Sequence, residues 1–217
     1  MIISLNWLKK YVNIDIPTDE LVKLIGARLV EVEATNDISE KYKGITVVEV
    51  RECGRIEGSD HLNRCMIWDG KNEVQVVCGA NNVRAGMLAA WLPPGAVPPE
   101  TFDSEPLVLE KRKLMGVESN GMLASMRELC LGDDHSGIVE INPDDAKAGD
   151  DFAAVFGLKD VLLDIENKSL THRPDCFGIV GFAREVAGIL GQEFVEPKWL
   201  KRPTRSVVKI TTVKVGK

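Results

Sequence analysis

Apolar residues recur along this chain at two different spacings, and the places where the spacing changes divide it. Ile2 and Ile3 can open a strand, Ser4 can cap a helical turn, and Leu5, Leu8 and Val12 then share one side. After Pro17 a helix is expected, with Thr18 as its N-cap and Asp19 and Glu20 in the first turn, where they oppose the macrodipole. Leu21, Leu24 and Ile25 form its apolar stripe, and residues 29–33 alternate as a strand does. From about residue 43 the period becomes two. Strands are expected over 45–53, 63–69, 73–78 and 87–92, then around 107–109 and 121–124, and last over 138–141. Asp69-Gly70 reads as a hairpin turn, and residues 125–131 as a short helix.

Past the turn-rich stretch 142–151 the pattern reverts. Residues 161–166 alternate, 167–176 form a polar loop, and 178–190 are amphipathic at helical spacing, stopped by Gly191. Five or more short strands with turns every 8–15 residues favour a small closed barrel, of which the OB-fold is the commonest nucleic-acid-binding case. Neither 1–39 nor 152–196 carries enough apolar residues to bury a core alone, so the economical arrangement packs them together. The expected fold class is therefore α+β: an OB-fold β-barrel, residues 40–151, inserted into a small discontinuous α/β domain of residues 1–39 plus 152–196. Residues 207–215 read as a strand without a partner, so 197–217 are expected to begin a further domain.

Charge changes this picture more than composition does. The net charge is −6, yet residues 43–151 hold 11 Lys/Arg against 19 Asp/Glu, and residues 198–217 hold seven Lys/Arg and no acid. Tight nonspecific binding of nucleic acid needs the opposite sign, so any RNA contact of the barrel must come from a local patch. No apolar run approaches the length of a membrane span, and the opening residues lack the order of a secretory signal, so a cytoplasmic location is expected. Cys53, Cys65, Cys78, Cys130 and Cys176 are scattered, with no Cys-x-x-Cys pair, and read as reduced thiols. With His61, His135 and His172 as the whole histidine complement, no metal site is expected.

Catalytic patterns are absent. Asp134, His135 and Ser119 make a weak triad, because His135 sits in an acidic glycine turn, and no phosphate-loop sequence occurs. Binding has better candidates. Asn81 and Arg84 follow a strand, with Asn82 between them, and Lys113 precedes Gly116-Val117-Glu118-Ser119-Asn120-Gly121-Met122. Arg and Lys can hold phosphate, and Asn and Ser can meet sugar or base edges. The RNA-binding residues expected are thus Asn81, Arg84, Lys113, Ser119, Asn120 and Met122, against the plainer possibility that Asn and Gly here only satisfy turn geometry and that Met122 is core. Arg51, Arg55 and Arg64 lie among acids and read as a solvated face. Trp68, Trp91 and Phe102 are few for a single-strand binder, which favours recognition of a folded RNA by shape.

Several of these runs carry a likeness. Val77–Gly86, Leu92-Pro93-Pro94-Gly95-Ala96, Gly116–Met122 and Gly132–Gly137 resemble the tRNA-binding OB domain of synthetase-associated proteins. The flanks Ile3–Val12, Arg28–Glu33, Arg173-Pro174-Asp175-Cys176 and Gly181–Ala187 resemble the beta-subunit family of bacterial phenylalanine–tRNA ligases, so that the match runs from residue 1 to about 196. The loop Ile56–Leu62 departs from it, lacking the family's His-Pro and placing His61 where a lysine is usual. The resemblance implies the N-terminal, non-catalytic part of a longer subunit, with tRNA and a catalytic alpha subunit as partners in a heterotetramer and with neither DNA nor membrane as a partner. It implies no cofactor for this segment, ATP and magnesium serving the whole enzyme on the other subunit, and editing residues beyond residue 217. The opposing expectation is a subunit-packing scaffold whose barrel touches no RNA.

Overall fold

The computed structural model describes residues 1–200. In chain order its first elements are β1 (Ile2–Ser4), α1 (Leu5–Leu8), α2 (Thr18–Arg28), β2 (Val32–Asp37), β3 (Thr46–Arg55), β4 (Asn63–Trp68), β5 (Glu73–Cys78) and β6 (Leu88–Leu92). There follow α3 (Pro99–Phe102), β7 (Lys111–Leu114), β8 (Val117–Asn120), β9 (Met122–Leu123), α4 (Phe152–Val155), β10 (Val161–Ile165) and α5 (Ile179–Leu190). They fall into two compact units, Asn36–Leu162 and a second made of Met1–Thr35 with the described residues from Leu163 to Leu200. The strand expected over 207–215 lies outside the described residues.

The unit that contains the chain start is built on a three-stranded sheet of order β1-β10-β2. Ser4 caps α1 by accepting from the Trp7 N–H at 3.0 Å, and Leu5 and Leu8 are buried. Helix α2 begins at Thr18 itself, preceded by extended Pro17, and Thr18 makes no cap bond, because proline's fixed φ already sets the helix entry. The strand expected from residue 29 starts at Val32, since α2 keeps Leu29 as its C-cap, with its N–H on the Ile25 carbonyl. Helix α5 buries Phe182, Ala183, Val186 and Ala187 and ends at Gly191, whose φ of 65° is the left-handed stop. Gly181 lets α5 approach the turn before it: a Cβ there would lie 1.8 Å from the Asp175 carbonyl oxygen.

The other unit is a curled antiparallel sheet of order β5-β4-β3-β6-β9, with β7 and β8 as a separate hairpin. Its edge strands β5 and β9 lie against one another, so the sheet rolls up on itself. The period of two places side chains on both faces. Val48, Val50, Cys65, Ile67, Val76 and Ala89 fill the inside, while Val47, Ala90, Leu92, Leu129, Ile141 and Phe152 form a second core outside β3 and β6. Tyr42 belongs to that outer layer and its buried hydroxyl donates to the Leu129 carbonyl at 3.0 Å. Because Phe152 and Ala153 are part of it too, this unit runs to Leu162 rather than stopping at residue 151.

Three expectations need correction here. Residues 125–131 form turns, not a helix: Cys130 at φ 53° breaks the continuation. Leu109 makes two backbone bonds, to Gly95 and Ala96, but the strand lies at Lys111–Leu114. Residues 138–141 contribute only a bridge of Ile141 to Leu88 and a bond from Val139 to Ala124, too few for a strand. The predicted test of the roll-up is Gly121, which sits at φ 82° where a Cβ would be 2.0 Å from the Leu92 carbonyl oxygen. Gly121→Ala is expected to lower the unfolding free energy by about 2–4 kcal/mol, read from urea denaturation; an unchanged midpoint would contradict this packing.

Candidate nucleic-acid interface

Strand β8 is short, and its polar side chains make the join. The Ser119 hydroxyl accepts from the Val77 N–H at 2.9 Å and donates to the Gly121 carbonyl at 2.9 Å. The Asn120 Nδ2 donates to the Gln75 carbonyl at 3.0 Å, and the Gln75 Nε2 returns a bond to the Glu118 carbonyl at 2.8 Å. The Trp91 indole N–H donates to the Asn120 carbonyl at 2.9 Å. Ser119 is only 4% exposed. These two residues therefore hold the hairpin to β5, and the hydroxyl of Ser119 is committed within the protein.

The hairpin so fixed carries Lys111, Arg112, Lys113 and Leu114 on β7, all exposed. Arg112 is opposite Ser119 and Lys113 opposite Glu118 in the register. No ion pair is found for Lys111, Arg112 or Lys113 among the described residues, whereas Arg51 pairs with Glu73, Arg127 with Glu100, and Lys41 with Asp103. Arg84 is exposed but pairs with Glu140. Lys111 and Arg112 were missed in the sequence, where the signal was a run of three cations in an acidic region.

Asn81 and Asn82 have different fates. Asn82 pins the chain opposite, with its Oδ1 accepting from the Ile138 N–H at 3.0 Å and its Nδ2 donating to the Ile138 carbonyl at 2.8 Å. Asn81 is exposed on the rim of a cleft of about 320 Å³. Met122, paired with Leu92 on β9, lines the same cleft, together with Cys78, Ser125, Glu128 and His135. Burial pushes the Cys78 thiol up, so the floor is neutral. The cleft thus gathers Asn81 and Met122; Ser119 and Asn120 support its wall from behind, and Lys113 and Arg84 stand apart from its lining. The aromatic residues are partly spent: Arg51 lies over Trp68 at 4.2 Å, and Trp91 is half-buried.

In the other unit Asp175, Cys176 and Glu185 come within metal-ligand reach of one another. Arg173 spans both carboxylates, at 2.9 and 3.0 Å to Asp175 and 2.5 Å to Glu185, and holds the Asp175 carboxyl below its usual range. A guanidinium already supplies the positive charge there. No helix among the described residues is long and apolar enough to cross a membrane.

Comparison with known proteins agrees with a binding role. Residues 45–151 match the family described as putative tRNA binding domain. Over 191 residues the chain is 40% identical to the phenylalanine–tRNA ligase beta subunit of Idiomarina loihiensis, covering 87% of this chain and 23% of that one. It is 37% identical over 201 residues to the corresponding subunit of Rhodopseudomonas palustris, covering 91% and 24%. The chain thus spans about a quarter of the length of the curated relatives it matches. A MetRS related protein from Pyrococcus horikoshii is similar over 52% of this chain and 94% of its own, at 22% identity and a TM-score of 0.37, a likeness too loose to carry an argument.

The Ser119 assignment is open to a direct check. Ser119→Ala strands the buried Val77 N–H, which is expected to cost about 1–3 kcal/mol of stability in a denaturant titration. A loss of RNA affinity at unchanged stability would instead place the hydroxyl in the interface.

Proposed function

We propose that the chain is a non-catalytic tRNA-binding module of a phenylalanine–tRNA ligase, a reading supported by the match of residues 45–151 to the family described as putative tRNA binding domain and by the likeness to beta subunits of that ligase. Its curled sheet is an OB-like barrel, inserted into the α/β unit formed by the two ends of the chain. The module supports attachment of phenylalanine to its tRNA by positioning RNA. The chemistry that uses ATP, magnesium and phenylalanine belongs to a catalytic alpha subunit, the protein partner in this reading, and the working location is cytoplasmic.

One observation carries the proposal: Lys111, Arg112 and Lys113 stand exposed and without ion pairs among the described residues on a hairpin, in a stretch where acids outnumber bases by eight. A cation already matched by a carboxylate releases little on meeting phosphate, whereas an unmatched one displaces counterions there. The same hairpin leads back through Asn120 on β8 to Met122 in the cleft, so phosphate contacts on β7 would bring the RNA to that opening. Phosphate contacts position and base contacts specify. Asn81 and Met122 are the proposed base-facing residues, Lys113 with Lys111 and Arg112 the phosphate-facing ones, and Ser119 and Asn120 the supports. Arg84 joins the interface only by exchanging Glu140 for phosphate.

The test is binding of tRNA(Phe) transcript by fluorescence anisotropy from about 50 to about 200 mM salt. The triple variant Lys111→Ala, Arg112→Ala, Lys113→Ala is expected to lower affinity at least about tenfold and to flatten the log–log salt slope by roughly two. Absence of binding by the unsubstituted chain even at the lowest salt would leave the scaffold reading in its place.

A further inference from the structure

The cleft has a chemistry of its own, set by one serine proton. Glu128 Oε2 accepts from both the Ser125 N–H and the Ser125 hydroxyl, each at 2.7 Å. A carboxylate only accepts, so the hydroxyl hydrogen goes to Glu128. His135 Nδ1 lies 3.0 Å from the same Ser125 oxygen, which has no second hydrogen to give. The histidine must then donate, carrying its hydrogen on Nδ1, and in the neutral ring Nε2 presents a lone pair. The remaining Glu128 oxygen, Oε1, takes no hydrogen bond among the described residues. Glu128 and His135 both line the cleft, with Cys78, Met122 and Leu123, and their acceptors left without a hydrogen bond among the described residues are Glu128 Oε1 and His135 Nε2.

We propose that this cleft takes a single guanine base, turned out of a folded RNA, with its Watson–Crick edge toward Glu128. This rests on the RNA-binding reading above and names what the site would recognise. Guanine is the one standard base with two adjacent donors, N1–H and the exocyclic amine, and Glu128 Oε1 and His135 Nε2 can accept one each. Adenine and cytosine set a ring acceptor beside their amine, and uracil flanks its single N–H with two carbonyls, so each meets the carboxylate with a repelling lone pair. Sequence-specific recognition of RNA relies on such extruded bases. The carboxylate also answers an oddity of the site, an acid lining an RNA-facing opening, because it repels phosphate while selecting a donor-rich base.

The experiment uses the full chain and four probes, GMP, AMP, CMP and UMP, in NMR titrations that follow the amides of Gly79, Asn81 and Gly137 around the cleft. GMP is expected to shift these signals and to bind at least about tenfold more tightly than the other three, the discrimination of a good bidentate pair. Glu128→Gln keeps the size; its carbonyl would take the Ser125 bonds and turn an amine donor toward the guanine donors, so the preference should vanish. Glu128 also braces Ser125, so His135→Ala, on an exposed residue, gives a second reading: GMP affinity falls while the melting temperature holds. Equal binding of all four nucleotides, no shift at the cleft, or an intact GMP preference in both variants overturns the proposal. The hairpin triple variant separates the two readings. GMP preference without tRNA binding faults the tRNA module and keeps the cleft, while tRNA binding without GMP preference does the reverse.

Discussion

The polar stitch between β8 and β5 is the constraint on which the candidate interface depends. A sheet of five strands with two free edges has rows of unpaired backbone groups, and here the edges meet without a regular ladder. Side chains supply the missing bonds: the Ser119 hydroxyl answers the Val77 N–H, and Asn120 and Gln75 exchange bonds with carbonyls on the facing strands. Each group is buried or half-buried and committed, which makes the join specific in register, since a slip of one residue would turn these side chains to the other face. The join also decides where function can lie. It fixes β7 by its pairing to β8, and it places Met122 at the mouth of the cleft.

Electrostatics then divides labour over this frame. Several basic residues of the curled-sheet unit are matched by carboxylates, as Arg51 is by Glu73 and Arg84 by Glu140. An acidic domain of this kind repels RNA except where cations stand free, and β7 is where three stand together. Attraction concentrated on one hairpin orients a polyanion instead of merely retaining it. The cleft, with a carboxylate and an imidazole tied through Ser125, does the opposite work of refusing phosphate and reading donors.

Much of the architecture was legible because backbone periodicity is a local property. The period of two over residues 45–53 foretold β3, whose residues Val47 and Val48 enter different cores, and Gly191 marked the end of α5 because only a left-handed residue fits there. The failures have physical causes as well. The apolar residues of 125–131 suggested a helix, but Cys130 adopts a positive φ and Ser125 is held by Glu128, so the segment closes as turns. Phe152 looked like the start of the next α/β stretch and instead fills the outer core beside Tyr42, at 6.1 Å between ring centroids. For the site, residue type was informative and burial was not. Asn81 and Ser119 look alike in sequence as polar residues beside glycine turns, yet one is exposed on a rim and the other is sealed behind β8. Likewise Lys113 stood out by its neighbours, while Lys111 and Arg112 gained meaning only when their lack of ion pairs was visible.

The β7–β8 hairpin and the cleft at its base are the proposed RNA-facing surface. Hydrogen–deuterium exchange of the full chain with and without tRNA(Phe) reads this directly, residue by residue. The expected result is slowed exchange across Lys111–Asn120 and Gly79–Asn82 on adding the RNA, with the sheet interior unchanged. Protection that falls elsewhere and leaves these two segments exchanging as in the free chain would contradict it.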